Sequence, residues 1–142
     1  MQQARKPREP PPLPGTRVLV VEDDVLLLMD LAAILREAGA QVSPCRTVPQ
    51  ALATAGKQDI DVAVLDVRIG SATVTPVARQ LAERGTPFIF YTGQVENDAI
   101  LAQWPGSRVI VKPAPAGTIV SAVADAVGNV EPGGKARVQR YG

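Results

Sequence analysis

Five times between residues 17 and 127, a short apolar run gives way to a stretch whose apolar residues return every three or four positions. The runs RVLVV (17–21), QVSPC (41–45), VAVLD (62–66), FIFY (88–91) and VIV (109–111) have the length of strands, the second being the most polar. The first helix is predicted over Val25 to Ala38, with Asp24 as its cap and Gly39 as its stop. Thr47 and Gln50 form a capping box for a second helix through Ala55. Thr75 as cap, Pro76 in the first turn and Gly85 beyond the end mark a third. A short helix over Asn97 to Gln103 and a last one from about Pro115 to Val127 complete the series. The flanks differ: residues 1–15 are rich in proline and charge and predict an extended, unpacked leader, and residues 128–142 have no apolar period and predict a flexible tail.

Strands that are apolar on both faces and separated by helices call for a parallel sheet covered on both sides. The predicted fold is therefore α/β over residues 16–127, a doubly wound five-stranded parallel sheet in the flavodoxin-like order 2-1-3-4-5. That order makes strands 1 and 3 neighbours and puts the ligand crevice at their carboxyl ends. Glu22, Asp23 and Asp24 follow strand 1, Asp66 ends strand 3, Thr92 ends strand 4 and Lys112 ends strand 5. Like charges at ~4 Å repel by roughly 4 kcal/mol per pair at an effective dielectric near 20. Such a cluster needs protonation, splaying into water, or a cation. A hard divalent ion such as Mg2+ suits oxygen ligands of this kind. Carboxylate, divalent ion, lysine and hydroxyl together make a site for phosphoryl transfer.

Composition narrows the chemistry further. The chain is 46% hydrophobic, 20% charged and 4% aromatic with a formal net charge of +1, which suits one soluble domain and gives no basic, aromatic-interleaved face for nucleic acid. Arg5, Lys6 and Arg8 precede a proline run and read as a solvated tail, not as the start of a signal peptide, since no apolar run follows. No run approaches membrane-spanning length, so a cytoplasmic protein is expected. Cys45 is the only cysteine and histidine is absent, which excludes an internal disulfide, a Cys/His zinc site and histidine catalysis within the chain.

VLVVEDD, VAVLDVRIG, FYTGQ and VIVKP, in this order, resemble the receiver domain of bacterial two-component response regulators over roughly residues 16–127. The FYTG segment further resembles a stand-alone, Phe-x-Thr-Gly subgroup. The resemblance implies that Asp66 accepts a phosphoryl group from a histidine kinase or phosphotransfer protein. It implies that Asp23 binds Mg2+ directly, Glu22 acts through water, and the backbone carbonyl of Arg68 joins Asp66 in completing the protein's ligands. Thr92 and Lys112 would contact the phosphoryl oxygens, and the Lys112–Pro113 bond would be cis. Such a protein is a phosphoacceptor, not an enzyme with a separate substrate. It catalyses its own Mg-dependent phosphotransfer and slow dephosphorylation, and Arg68 and Gln94 are placed to influence water attack. Only a short tail follows the last helix, so the expected output is contact with a downstream protein or a phosphorelay.

Two departures from the family pattern are visible. Val109 stands where an aromatic is usual three residues before the lysine, and Tyr91 cannot simply replace it, because adjacent strand residues face opposite ways. Ala114 follows Lys-Pro where an aromatic is also common. A degenerate receiver acting only as a protein-binding module is therefore the alternative. A flavodoxin-type cofactor binder is disfavoured because Glu22, Asp23 and Asp24 would repel a phosphate, and a haloacid-dehalogenase-type phosphatase because Arg68 occupies the place of its acid/base aspartate. Asp66 by itself could be a turn residue and Asp24 is best read as a helix cap. The last helix, with Thr118, Ser121 and Asp125 as a narrow polar stripe, either packs deeply against the sheet or leaves surplus apolar surface; the expectation is that such surface binds a partner or a second copy, the latter as a homodimer through the face of helix 4, strand 5 and helix 5. The first helix is the expected dock for the phosphodonor.

Overall fold

The computed structural model describes residues 10–93 and 99–128. Its elements run β1 (Arg17–Val21), α1 (Val25–Glu37), β2 (Gln41–Cys45), α2 (Val48–Lys57), β3 (Val62–Leu65), β4 (Arg68–Ile69), β5 (Ala72–Thr73), α3 (Thr75–Glu83), β6 (Phe88–Thr92), α4 (Ala99–Ala102), β7 (Val109–Val111) and α5 (Ala116–Gly128). Five strands form one parallel sheet in the order β2-β1-β3-β6-β7. This is the doubly wound order expected from sequence, with one addition. The antiparallel ribbon β4-β5, joined through Gly70 and Ser71, lies between the third sheet strand and its helix.

Strand parity explains the double-sided core. Leu19, Val21, Ala63, Leu65, Phe88 and Phe90 point to one side, where α2, α3 and α4 pack. Val18, Val20, Val62, Val64, Ile89 and Tyr91 point to the other, against α1 and α5. A period of two that is apolar on both faces fits only between two helical layers. Among the described residues, no helix is long and apolar enough to cross a membrane.

The helix ends follow local chemistry, with two corrections. Asp24 Oδ1 accepts from the amides of Leu26 and Leu27, as a cap should. Thr47 Oγ1 accepts from Gln50 N–H, but Gln50 Oε1 returns the bond to Arg46 N–H, one residue earlier than in a capping box. Thr75 is not a cap: Val74 holds that place without a side-chain bond, and the Thr75 hydroxyl pairs with Thr73 instead. Pro76 in the first turn has no N–H to satisfy, which lightens the demand for a cap there.

The leader also needs correcting over its last residues. Leu13 is 1% exposed, its amide donates to Ala38 O, and Gly15 N–H donates to Gly39 O. Residues 11–13 thus lie across the α1–β2 turn. Gly39 has φ +100, and a Cβ there would come within 2.9 Å of Pro11 Cβ, so the turn takes glycine on both grounds. Residues 1–9 and the tail beyond Gly128 lie outside the described residues.

A further expectation fails on α5. Its Val120, Ala124, Ala126 and Val127 are partly buried against the core, so the helix has no exposed large apolar side chain. The large apolar side chains exposed among the described residues are Val25, Leu26, Leu27 and Met29 on α1, and Val109 and Val111 on β7.

Candidate functional site

The parallel order brings the ends of β1, β3, β6 and β7 to one edge of the sheet. Val21 pairs with Leu65, so Glu22 and Asp66, the next residues on each strand, leave the sheet side by side. A carboxylate oxygen from each of Glu22, Asp23 and Asp66 lies within 4.8 Å of the others. Asp24, by contrast, turns away to cap α1. Lys112 closes the group from β7: its Nζ donates to Asp66 Oδ2 at 2.8 Å and to Glu22 Oε1. Its own amide donates to Thr92 O at 2.9 Å, which ties the ends of β6 and β7 together.

Three carboxylates with one ammonium beside them would repel strongly were they not held separately. Each has its own backbone donor. Glu22 Oε2 accepts from Asp24 N–H, Asp23 Oδ2 from Gly70 N–H at 2.8 Å, and Asp66 Oδ1 from Val67 N–H at 2.8 Å. Burial pushes the Glu22 carboxyl above its ordinary value, against the pull of its bond to Lys112. The Gly70 amide holds Asp23 below the usual carboxylate range. For Lys112, burial works against the charged form, but the bonds to Asp66 and Glu22 outweigh it and the net shift is upward.

Hard oxygen donors carrying surplus negative charge around one point fit a divalent ion of the magnesium type. Glu22 is buried while Asp23 and Asp66 are only partly buried, so what access the cluster has to solvent is on the Asp23 and Asp66 side. Thr92 is 2% exposed at the end of β6, beside β3. Arg68 lies exposed at the start of β4, with Thr73 opposite it in the ribbon. Among the described residues, a Cβ built on Gly93 would meet nothing within 4 Å. Gln94 lies outside the described residues. The Lys112–Pro113 bond is cis.

Sequence reasoning missed two contacts on Asp23. One is the Gly70 amide; its signal was the Gly-Ser pair inside RIGSAT, a two-residue hairpin turn. The other is Arg46, whose Nε and Nη2 donate to the Asp23 carbonyl at 3.4 and 3.3 Å; no sequence pattern announces it.

Val109, in the place usual for an aromatic, is 36% exposed on the edge strand β7. The described residues thus hold no ring at that position to rotate.

Comparison with known proteins agrees with this architecture. A response regulator receiver protein from Sinorhizobium medicae WSM419 superposes with TM-score 0.70 at 23% identity, over 80% of this chain and 95% of that one. A CheY-like receiver domain protein from Methanospirillum hungatei JF-1 gives 0.73 at 21% identity, over 80% and 94%. A response regulator from Burkholderia pseudomallei, solved with a phosphorylated aspartic acid, a calcium ion and citrate, gives 0.71 at 21% identity, over 82% and 71%. No curated protein matches the sequence. The family model for the response regulator receiver domain matches residues 18–124, from β1 to the last turns of α5. A match of that extent, on a sheet of this order with its acids gathered at the carboxyl edge, means that the chain belongs to the response regulator receiver domain family of two-component systems.

Proposed function

We propose that this chain is a cytoplasmic response regulator whose Asp66 accepts a phosphoryl group from a histidine kinase or phosphotransfer protein. The observation that carries this reading is the meeting of Asp66 with Lys112, Glu22 and Asp23 at one point of the sheet edge. The phosphorylated aspartate and calcium ion in the Burkholderia pseudomallei relative support the same chemistry on this fold.

In the transfer, an Asp66 carboxylate oxygen forms a bond to phosphorus as the donor's phosphorus–nitrogen bond breaks. The electron pair returns to the donor imidazole, which takes up a proton from solvent. Lys112 offsets charge on the transferred group and the Thr92 hydroxyl donates a hydrogen bond to it. Asp23, Asp66, the Arg68 carbonyl and, through water, Glu22 would hold Mg2+, which supplies further neutralisation of the phosphoryl oxygens. Hydrolysis returns Asp66 to its free form, a step that Arg68 and, by its place in the sequence, Gln94 would influence.

The α1 residues Leu26 and Met29, 74% and 64% exposed, follow directly on the acidic site. A phosphodonor reaching Asp66 meets this apolar helix first, which supports α1 as its dock. Output runs through contact with a downstream protein or through a phosphorelay, and a homodimer would form on the α4, β7 and α5 face, where Val109 and Val111 are exposed. Intact mass after incubation with Mg2+ and a small acyl phosphate tests the reading. The native chain gains one phosphoryl group and Asp66→Ala gains none. A native chain without added mass, also after incubation with a phosphorylated histidine donor, would overturn it in favour of a binding module.

A further inference from the structure

The turn that carries Lys112 into the site has almost no backbone of its own to hold it. Pro113 and Pro115 lack an N–H, so Ala114 supplies the turn's only backbone donor between Lys112 and the start of α5. That donor is used on a side chain: Ala114 N–H donates to the Tyr91 hydroxyl at 3.2 Å. Tyr91 sits on β6 immediately before Thr92, is 9% exposed, and pairs with Ile110 of β7. Its ring lies under the same lysine, with Lys112 Nζ 5.7 Å from the ring centroid, within the range of a cation–π contact.

These contacts bracket Lys112. Before it, its own amide is fixed to Thr92 O; after it, Ala114 N–H is fixed to Tyr91; alongside it, the ammonium lies over the Tyr91 ring. We propose that Tyr91 is the positioning residue of the site: its hydroxyl anchors the turn after Lys112 and its ring aims the ammonium between Glu22 and Asp66. The proposal assigns a role to a residue outside the acid cluster and independent of Val109. Its rate consequence rests on the reading of Lys112 as a partner of the transferred phosphoryl group.

The test separates position from rate. Lys6, Lys57, Lys112 and Lys135 are the lysines of the chain, so side-chain 15N spectra of lysine-labelled protein are simple, and Lys112→Arg assigns the signal of interest. A shielded, paired ammonium gives an observable signal in the native protein. Tyr91→Phe, which removes only the hydroxyl, shifts or broadens it, and Tyr91→Leu, which also removes the ring, changes it further. An unchanged Lys112 signal in Tyr91→Phe would overturn the proposal, whether or not Asp66 is phosphorylated. The rate of Asp66 phosphorylation by a small acyl phosphate is then measured as a double-mutant cycle. Tyr91→Phe lowers it roughly tenfold, the scale of one hydrogen bond, in the native background, and leaves it unchanged in Lys112→Ala. A fall of equal size in both backgrounds, or none in either, would show that Tyr91 does not act through Lys112. A native chain that takes no phosphate sinks the functional reading alone, because the ammonium spectra still decide this one.

Discussion

Lys112 Nζ donates to Asp66 Oδ2 at 2.8 Å, from the far edge of the sheet to its central strand. The side chains of the pair are 16% and 14% exposed, so the contact is largely shielded from solvent. The same ammonium meets Glu22, whose side chain is 4% exposed. One cation therefore serves two sheltered carboxylates. Removing it leaves both facing each other without compensation, whereas removing one carboxylate leaves the cation paired.

An asymmetry of stability follows. In metal-free buffer, Lys112→Ala should destabilise the fold by about 3 kcal/mol, because it strands buried charge. Asp66→Asn should stay within about 1 kcal/mol of the native chain, since the amide still accepts from Lys112 and one negative charge is gone. Urea unfolding with a chelator present checks both. A Lys112→Ala variant as stable as the native chain would mean that the ammonium does not hold the acids.

The pH dependence of that asymmetry has a definite sign. The folded-state pKa of Lys112 is raised, so the stability it contributes is fully present below the ordinary lysine value of 10.5 and is lost as pH climbs through the raised value. The gap between native and Lys112→Ala should therefore persist from neutral pH up to that value and narrow only in stronger alkali. Unfolding curves at several alkaline pH values measure it. A gap that already closes near neutrality would contradict the pairing.

Leu13 gives a prediction away from the site. It is fully buried at the end of a segment whose composition suggests no packing. Leu13→Ala should cost about 2–4 kcal/mol, as for other buried leucines, while substitution of the exposed Pro12 should cost far less. Chemical denaturation of the two variants decides it, and a neutral Leu13→Ala would show that the segment is not part of the core.

The contrast between Leu13 and the sheet shows what was legible. Val18 to Val21 and Val62 to Leu65 announce a two-faced strand because every position is apolar, and parity then divides them between two cores. Strand order puts Glu22 beside Asp66 once each is read as following its strand, so the acid cluster was visible too. Leu13 is one apolar residue among prolines, which makes no period. The β4-β5 ribbon has two residues per strand, too short for alternation to register. Thr75 looked like a cap because threonine before Pro-Val is a common start, yet its hydroxyl had a nearer partner in Thr73. The Tyr91–Ala114 bond depends on where a side chain ends after crossing between strands, which spacing does not encode. On α5, the narrow polar stripe suggested exposed surface, but the sheet and α1 cover more of that helix than its pattern implied.

Asp23 and Asp24 are neighbours with opposite duties, and two variants can separate them. Asp23 points its carboxylate at Gly70 N–H and at the other acids, and the Gly70 amide keeps it ionised further into acid than an ordinary carboxylate. Asp24 spends its carboxylate on the amides of Leu26 and Leu27. Asp23→Asn keeps an acceptor for Gly70 but loses a charge from the cation site, so Mg2+ affinity should fall by about tenfold or more while the fold survives. Asp24→Ala should do the reverse, costing about 1 kcal/mol of stability through the lost cap and leaving Mg2+ affinity as it was. Calorimetric titration with Mg2+ and urea unfolding, run on both variants, read the two quantities separately. If Asp24→Ala weakened Mg2+ binding as much as Asp23→Asn, the division of labour at the end of β1 would be wrong, and the ion would be held by the whole acidic run.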